Sequence, residues 1–200
     1  RESGIDFGSA IECRIEGVNA SDNGGEGVWT GEGARARDCV AARNGANGVR
    51  AGAGSSVSGC VARNNGASGF RVFGGVQVEG CSAYENTLHG FFAHQGDDVT
   101  YHDATFRGCA ARGNGQFGFE LGRGCLASQC SARANGHSGF HTNFGSSVVN
   151  SVAYGNIIDG IWLAAGSSAI GNVCRANGDD GIQADDDSLV KDNTCDNNGF

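Results

Sequence analysis

Asparagine returns at a fixed interval along this chain. Asn23, Asn44, Asn65, Asn86, Asn114, Asn135, Asn156, Asn177 and Asn198 are 21 residues apart at every step except Asn86 to Asn114, which is 28. A unit this small cannot bury a core alone and must stack on its copies, so the period predicts a solenoid. Further columns keep the same spacing. Gly27, Gly48, Gly69, Gly90, Gly118, Gly139, Gly160 and Gly181 are followed by Val28, Val49, Phe70, Phe91, Phe119, Phe140, Ile161 and Ile182. A second glycine column runs from Gly33 through Gly54, Gly75, Gly96, Gly124 and Gly145 to Gly166, with Asp187 closing it. Ala36, Val57, Val78, Ala127, Val148, Ala169 and Val190 form another apolar column.

The coils read as β, not α. Apolar residues alternate, as in Phe70-x-Val72 and Phe119-x-Leu121, with the two-residue period of a strand. Recurrent glycine would cost a helix about 1 kcal/mol at each position. Strands this short gain stability by pairing in parallel and in register with the coils above and below, each coil rising about 4.8 Å. The asparagines then form an internal ladder, hydrogen-bonding one another and the turn backbone. The glycines suit corners that need positive φ or have no room for a Cβ. The expected fold is therefore all-β: one domain, residues 1–200, a parallel β-helix of about nine 21-residue coils.

Composition is consistent with this. Glycine accounts for 36 of 200 residues and proline is absent, but the strict period argues against disorder. A formal charge of −8 disfavours a nucleic-acid partner. No apolar run is long enough to span a membrane. The chain lacks an initiator Met and starts and stops in mid-coil, as expected of a processed chain or a fragment. Uncapped coil ends are a route to end-to-end self-association.

Five of the nine cysteines, Cys39, Cys60, Cys81, Cys109 and Cys130, share one column that continues as Ser151, Asn172 and Asn193. Cys174 and Cys195 fall in the column otherwise held by Ala41, Ala62, Ala83, Ala111, Ala132 and Ala153. Small residues exchanging at one position point inward. Buried free thiols are the first reading and disulfides between neighbouring coils the second; no CxxC pair or Cys/His cluster indicates a metal.

Taken together, V-x-G-C/N-x-A-x-x-N-x-x-x-G-F/I-x-V/L resembles the repeat of right-handed parallel β-helix proteins of the pectate-lyase-like superfamily. That group includes pectate lyases, polygalacturonases, alginate C5-epimerases and NosD-like carbohydrate-binding proteins. The resemblance covers residues 18–200 and implies the right hand of the helix; one scaffold of this kind hosts many chemistries. The motifs of its enzymes are incomplete here. Tyr101-His102-Asp103 only echoes the epimerase Asp-Pro-His-Asp. Asn177-Gly178-Asp179-Asp180 compresses polygalacturonase motifs into one coil, without Gly-His-Gly.

Strand alternation places one outward row along the rod: Trp29, Arg50, Arg71, Phe92, Glu120, His141, Trp162 and Gln183. A second row two residues on includes Phe73, His94, Asn143 and Asp185. Exposed rings interleaved with polar groups suit a sugar chain. Trp29, Arg50, Phe92, Asn143 and Trp162 are the candidate substrate-binding residues. Lyases and epimerases of uronate polymers remove the proton beside a carboxylate, which requires a cation and a base. Arg71 or Arg50 is the candidate cation, His94 or His141 the candidate base, and Glu120 is placed to orient His141. The seven-residue insertion, near residues 94–108, adds Asp97, Asp98, Tyr101, His102 and Asp103 beside this row. His89 and His137 read as solvated turn residues. Asp179, Asp185 and Asp187 are a candidate calcium site, calcium being the one cofactor the sequence raises. The leading reading is an extracellular or surface β-helix that binds, and in its enzymatic form processes as a lyase or epimerase, an acidic polysaccharide. The alternative is a structural segment of an adhesin, tailspike or repeat-built fibre.

Overall fold

The computed structural model describes residues 2–93 and 103–199. It is a parallel solenoid with three faces, each a nine-stranded sheet. Each coil contributes one short strand to each sheet. In one coil, Val49–Ala51 lies in the first sheet, Ser56–Ser58 in the second and Val61–Arg63 in the third. Every pairing is parallel and between consecutive coils. Phe70 pairs with Val49 on one side and Phe91 on the other, a register that keeps each sequence column in one line.

The asparagine ladder forms as expected, at the corner between the third and first sheets. Asn65 Oδ1 accepts from the backbone N–H and the Nδ2 of Asn44, at 3.1 and 3.0 Å. Asn65 Nδ2 donates to Ala41 O and to Asn86 Oδ1, at 3.1 and 2.9 Å. Each buried amide thereby satisfies its own donors and a turn N–H of the preceding coil. The ladder continues unbroken across the longer coil, Asn86 Nδ2 reaching Asn114 Oδ1 at 3.0 Å.

The two glycine columns have different causes. A Cβ on Gly48 would lie 2.7 Å from Ala62 Cβ, Asn65 Nδ2 and Gly69 O, so that column is glycine because the next coil leaves no space. Gly75 has φ of +67° and an open surround, so its column is glycine for conformation, and Asp187 closes it at +56°. Two more left-handed positions recur in every coil, represented by Gly59 (+60°) and Asn64 (+54°), giving one at each of the three corners.

The core is one apolar column. Phe70, Phe91, Phe119 and Phe140 stack at centroid spacings of 4.8, 4.6 and 4.8 Å, and Phe106 meets Phe91 and Phe119 edge-on. Among the described residues all nine cysteines are free thiols; the five of the shared column are buried, Cys13 is half-buried and Cys195 is exposed. The column works as a second ladder at the corner between the second and third sheets. Cys39 N–H donates to Cys60 Sγ at 3.4 Å, Cys130 N–H to Ser151 Oγ at 3.1 Å, and Ser151 N–H to Asn172 Oδ1 at 2.9 Å. Sulfur, hydroxyl and amide oxygen serve as the same acceptor, which explains why these residues exchange. Burial pushes the Cys125 thiol, on the neighbouring corner, up to about 11.

Departures from the 21-residue period are confined to the corner between the first and second sheets. The first coil pairs Ile5 with Val28 but Ile11 with Glu32, so its two additional residues lie between Asp6 and Ile11. In the longer coil, Phe92 pairs with Arg71 and Thr105 with Gln77, which places the insertion before Thr105. Thr105–Arg107 is an ordinary strand, so the insertion is shorter than the 94–108 span read from the sequence.

Candidate functional site

The outer face of the first sheet carries the expected row in register. Trp29, Arg50, Arg71, Phe92, Glu120, His141, Trp162 and Gln183 are successive partners on consecutive strands. Their inward neighbours Val72, Phe91, Phe119, Leu121 and Phe140 are buried. Only Gln183 is fully exposed; the others are half-buried because they pack on one another and on residues three positions earlier, at the preceding corner.

That corner contributes residues the sequence reading had set aside. His89, expected in solvent, is 8% exposed. Its ring stacks on Phe92 at 5.0 Å and on Phe117 at 5.6 Å, and its Nε2 lies 3.1 Å from Glu120 Oε2. The Phe92 and Phe117 rings on either side shield the imidazole from water. His137, also expected in solvent, is half-buried against Phe117 at 4.3 Å. His141 is held between Phe117 at 4.6 Å and Trp162 at 4.5 Å. Towards the N-terminal end, the Arg50 guanidinium covers Trp29 at 4.3 Å and reaches Phe73 at 5.2 Å. Arg71 reaches Phe73 and Phe92 at 5.8 and 5.9 Å. The result is a continuous strip of rings and cations from Trp29 to Trp162.

Most of these rings stack face to face along the rod, at about the strand spacing. Their edges point outward, and their faces cover each other. The strip opens at its N-terminal end, where Gly31 and Gly52 leave a depression of about 450 Å³ bounded by Trp29, Arg50, Phe73 and Glu32. Among the described residues, Arg50 Nε, His89 Nδ1 and Trp162 Nε1 are buried without a hydrogen-bond partner, and all three belong to the strip. Asn143 lies at the following corner, half-buried, its Oδ1 accepting the Phe144 N–H at 2.7 Å. His94, Asp97, Asp98, Tyr101 and His102 lie outside the described residues.

A family model described as the right handed beta helix region matches residues 3–128. The chain belongs to that family. No curated relative matches it by sequence. Among solved structures, the β-helix is similar to the Azotobacter vinelandii mannuronan C-5 epimerase AlgE4 A-module, with a TM-score of 0.76 and 20% identity over 94% of this chain and 60% of that one. It is also similar to pectate lyase Pel9A, with a TM-score of 0.61 and 18% identity over 92% of this chain and 56% of that one. The Dettilon tailspike protein matches with a TM-score of 0.59 and 13% identity, over 91% of this chain and 50% of that one. The chain thus spans about half to three-fifths of the length of these structures. At such identities the likeness is one of fold.

Electrostatically, the His89–Glu120 pair is the most perturbed point of the strip. Burial pushes the Glu120 carboxyl up to about 7. Burial, then the neighbouring His141 and His137, pull His89 down to about 4. Between those limits the pair holds one proton in its 3.1 Å contact.

The acidic end of the β-helix is arranged differently from the expected calcium site. Asp179 groups with Asp159 and Asp180, their carboxylate oxygens within 4.8 Å of one another, and Asp185 and Asp187 stand outside that group. Asp159 is the buried member. It accepts from Ser138 Oγ at 3.1 Å and the Asp180 N–H at 3.2 Å, which ties it to the packing of the turn. Asp187 takes the left-handed corner position, and that accounts for an aspartate there. Among the described residues, no helix is long and apolar enough to cross a membrane.

Proposed function

We propose that the β-helix binds an acidic polysaccharide along the outer face of its first sheet, at the cell surface or outside the cell. The observation that carries this reading is the strip itself: half-buried cations, ring edges and unsatisfied buried nitrogens gathered on one face, opening into a depression at Trp29 and Arg50. A ligand rich in carboxylates and hydroxyls supplies acceptors to such donors. Proteins of the same fold named as a mannuronan epimerase and a pectate lyase support the choice of ligand.

In its enzymatic form the site uses Arg71 to neutralise a uronate carboxylate. That makes the adjacent C–H more acidic, and a base within reach accepts the proton. Glu120 suits this role, since its carboxyl titrates near neutral pH and His89 shares its proton. Reprotonation by water from the opposite ring face gives epimerisation; departure of the neighbouring glycosidic oxygen, which takes its proton from water, leaves the ring double bond of elimination. His141, held between Phe117 and Trp162, sets the far wall.

One observation favours the non-catalytic alternative, a structural module. The rings spend most of their faces on each other, as packing along a fibre would require. Calorimetric titration with alginate and pectate oligosaccharides separates the two. Binding that Arg50→Ala and Arg71→Ala weaken, with thermal stability unchanged, supports the glycan site. No binding at millimolar oligosaccharide leaves the structural module.

A further inference from the structure

The third sheet carries an outward row of its own that the reading above does not use. Arg63, Tyr84, Arg112, Arg133, Tyr154 and Arg175 are successive partners on consecutive strands. Arginines fall at intervals of one or two strand spacings, with tyrosines between them. Arg175 is paired with Asp196 at 2.7 Å. Among the described residues, Arg63, Arg112 and Arg133 have no carboxylate partner. Arg133 lies instead over Tyr154 at 4.9 Å. Such a row is unexpected on a chain of net charge −8, because three of its four arginines lack a carboxylate partner among the described residues although acids outnumber cations.

Beside the row the surface is hollowed. Ala110, Gly113 and Ala134 are too small to cover the flank of Tyr84, and a depression of about 520 Å³ opens between Tyr84 and Arg112. Its one acidic wall residue, Glu85, accepts from Asn64 Nδ2 at 3.0 Å. The hollow has an apolar floor, an aromatic side and a guanidinium rim. Unlike the stacked rings from His89 to Trp162 on the first-sheet side, Tyr84 stands beside empty space.

We propose that this face is a second binding site for a linear acidic glycan, lying along the rod with a sugar ring against Tyr84 and carboxylates on Arg63, Arg112 and Arg133. Bidentate guanidinium–carboxylate pairing supplies the charge recognition, and the apolar floor takes a ring face. An extended polyanion fits because the cations repeat along a straight line, whereas a small anion would use only one of them.

The test uses the whole chain and alginate oligosaccharides of defined length, with a single-stranded DNA of equal charge and a neutral glucan as comparison probes. The variants are the double substitution Arg112→Glu with Arg133→Glu, Tyr84→Ala, and separately Arg50→Ala with Arg71→Ala on the first sheet. The expected result is two sites per chain. One should be lost with the third-sheet double variant, weakened on the order of tenfold by Tyr84→Ala, and retained by the first-sheet variant. Retention also keeps the outcome separable from failure of the first-sheet reading. The proposal is overturned if the third-sheet variants bind the oligosaccharide as the parent does. Equal binding of the DNA probe would likewise overturn it, as would a third-sheet variant whose only change is in self-association measured by sedimentation.

Discussion

The asparagine ladder and the first-sheet strip occupy the same coils, only a few residues apart along the chain, and they are built by opposite rules. The ladder repeats one residue type on nine coils, each amide making the same bonds to the next. Identical residues are what an inward corner demands, because every coil presents the same turn N–H and the same carbonyl. The strip changes residue on almost every coil, from Trp29 to Arg50 and from Glu120 to His141. Its outward position imposes no common partner, so its chemistry is free to vary and to be selected for a ligand. Uniformity in a solenoid column therefore marks structure, and variety within a half-buried outward column leaves room for the binding role proposed for the strip.

The largest expected effect comes from breaking the ladder in its middle. Asn86→Ala removes the acceptor of Asn65 N–H and Nδ2 and the donor to Ala62 O. With three buried polar groups orphaned at about 1–3 kcal/mol each, the loss should be at least about 3 kcal/mol, read as a lowered urea midpoint. In contrast, Arg50→Ala on the strip should cost under about 1 kcal/mol, since its ion pair with Glu26 is a loose 3.8 Å. If the two variants destabilise equally, the division between structural and functional columns fails.

The next effect is on binding. Arg71→Ala should weaken an acidic oligosaccharide on the order of tenfold or more, from loss of a charge-assisted contact, while leaving a neutral glucan unaffected. Calorimetry with both ligands makes the check. An equal loss for both would assign Arg71 to packing on Phe73 and Phe92.

A third experiment uses pH. In the unfolded chain, Glu120 and His89 titrate near their ordinary 4.5 and 6.5, and in the folded chain near 7 and 4. From 4.5 to 6.5 both states hold one proton on the pair, so the parent's stability should be nearly independent of this pair. Glu120→Gln leaves the lowered His89. Its unfolded form then binds the extra proton, and stability should rise as pH goes from about 4 to 6.5. His89→Phe leaves the raised Glu120. Its folded form then binds the extra proton, and stability should fall as pH goes from about 4.5 to 7. Two variants of one contact with opposite slopes in urea melts would establish the shared proton; parallel slopes would refute it.

How much of this was legible in the sequence follows from the same contrast. The Asn, Phe and glycine columns could be read because each coil repeats the same demand, and alternation then fixed which side of the strand Trp29, Arg50, Glu120 and His141 occupy. His89 and Phe117 were not legible. Their column runs Glu26, Asn47, Ser68, His89, Phe117, Ser138, Asp159 and Asp180, with no shared chemistry to show that it packs against the strip. The Asp159 group was missed for a related reason, since Asp159 precedes Asp179 by nearly a full coil and only stacking brings them together. The sequence also showed one left-handed corner per coil where there are three, because the other two are filled by Asp, Asn, Gln, Arg, Glu and Ala more often than by glycine.

Those concealed corners give the smallest and most discriminating prediction. Ala176 holds φ of +52° at the corner before the asparagine ladder, where Gly113 and Gly155 stand at +63° in equivalent coils. Alanine gains nothing there from a polar side chain, and its Cβ crowds the following carbonyl at about 1–2 kcal/mol. Glycine removes that strain but adds freedom to the unfolded chain, which returns about 0.4–1 kcal/mol of the gain. Ala176→Gly should therefore stabilise the solenoid by about 0.5–1 kcal/mol, with first-sheet glycan binding unchanged, because the position lies outside the first-sheet strip. Ala132→Gly makes the opposite control. Ala132 is buried within a strand of the third sheet and its Cβ packs against the Gly118 column of the first. Losing that methyl should destabilise by about 1 kcal/mol or more. A rise for one alanine and a fall for the other, measured in the same urea series, would tie the sign of each effect to backbone conformation. If both fall, the left-handed corner at Ala176 is not strained, and the repeat tolerates side chains there without cost.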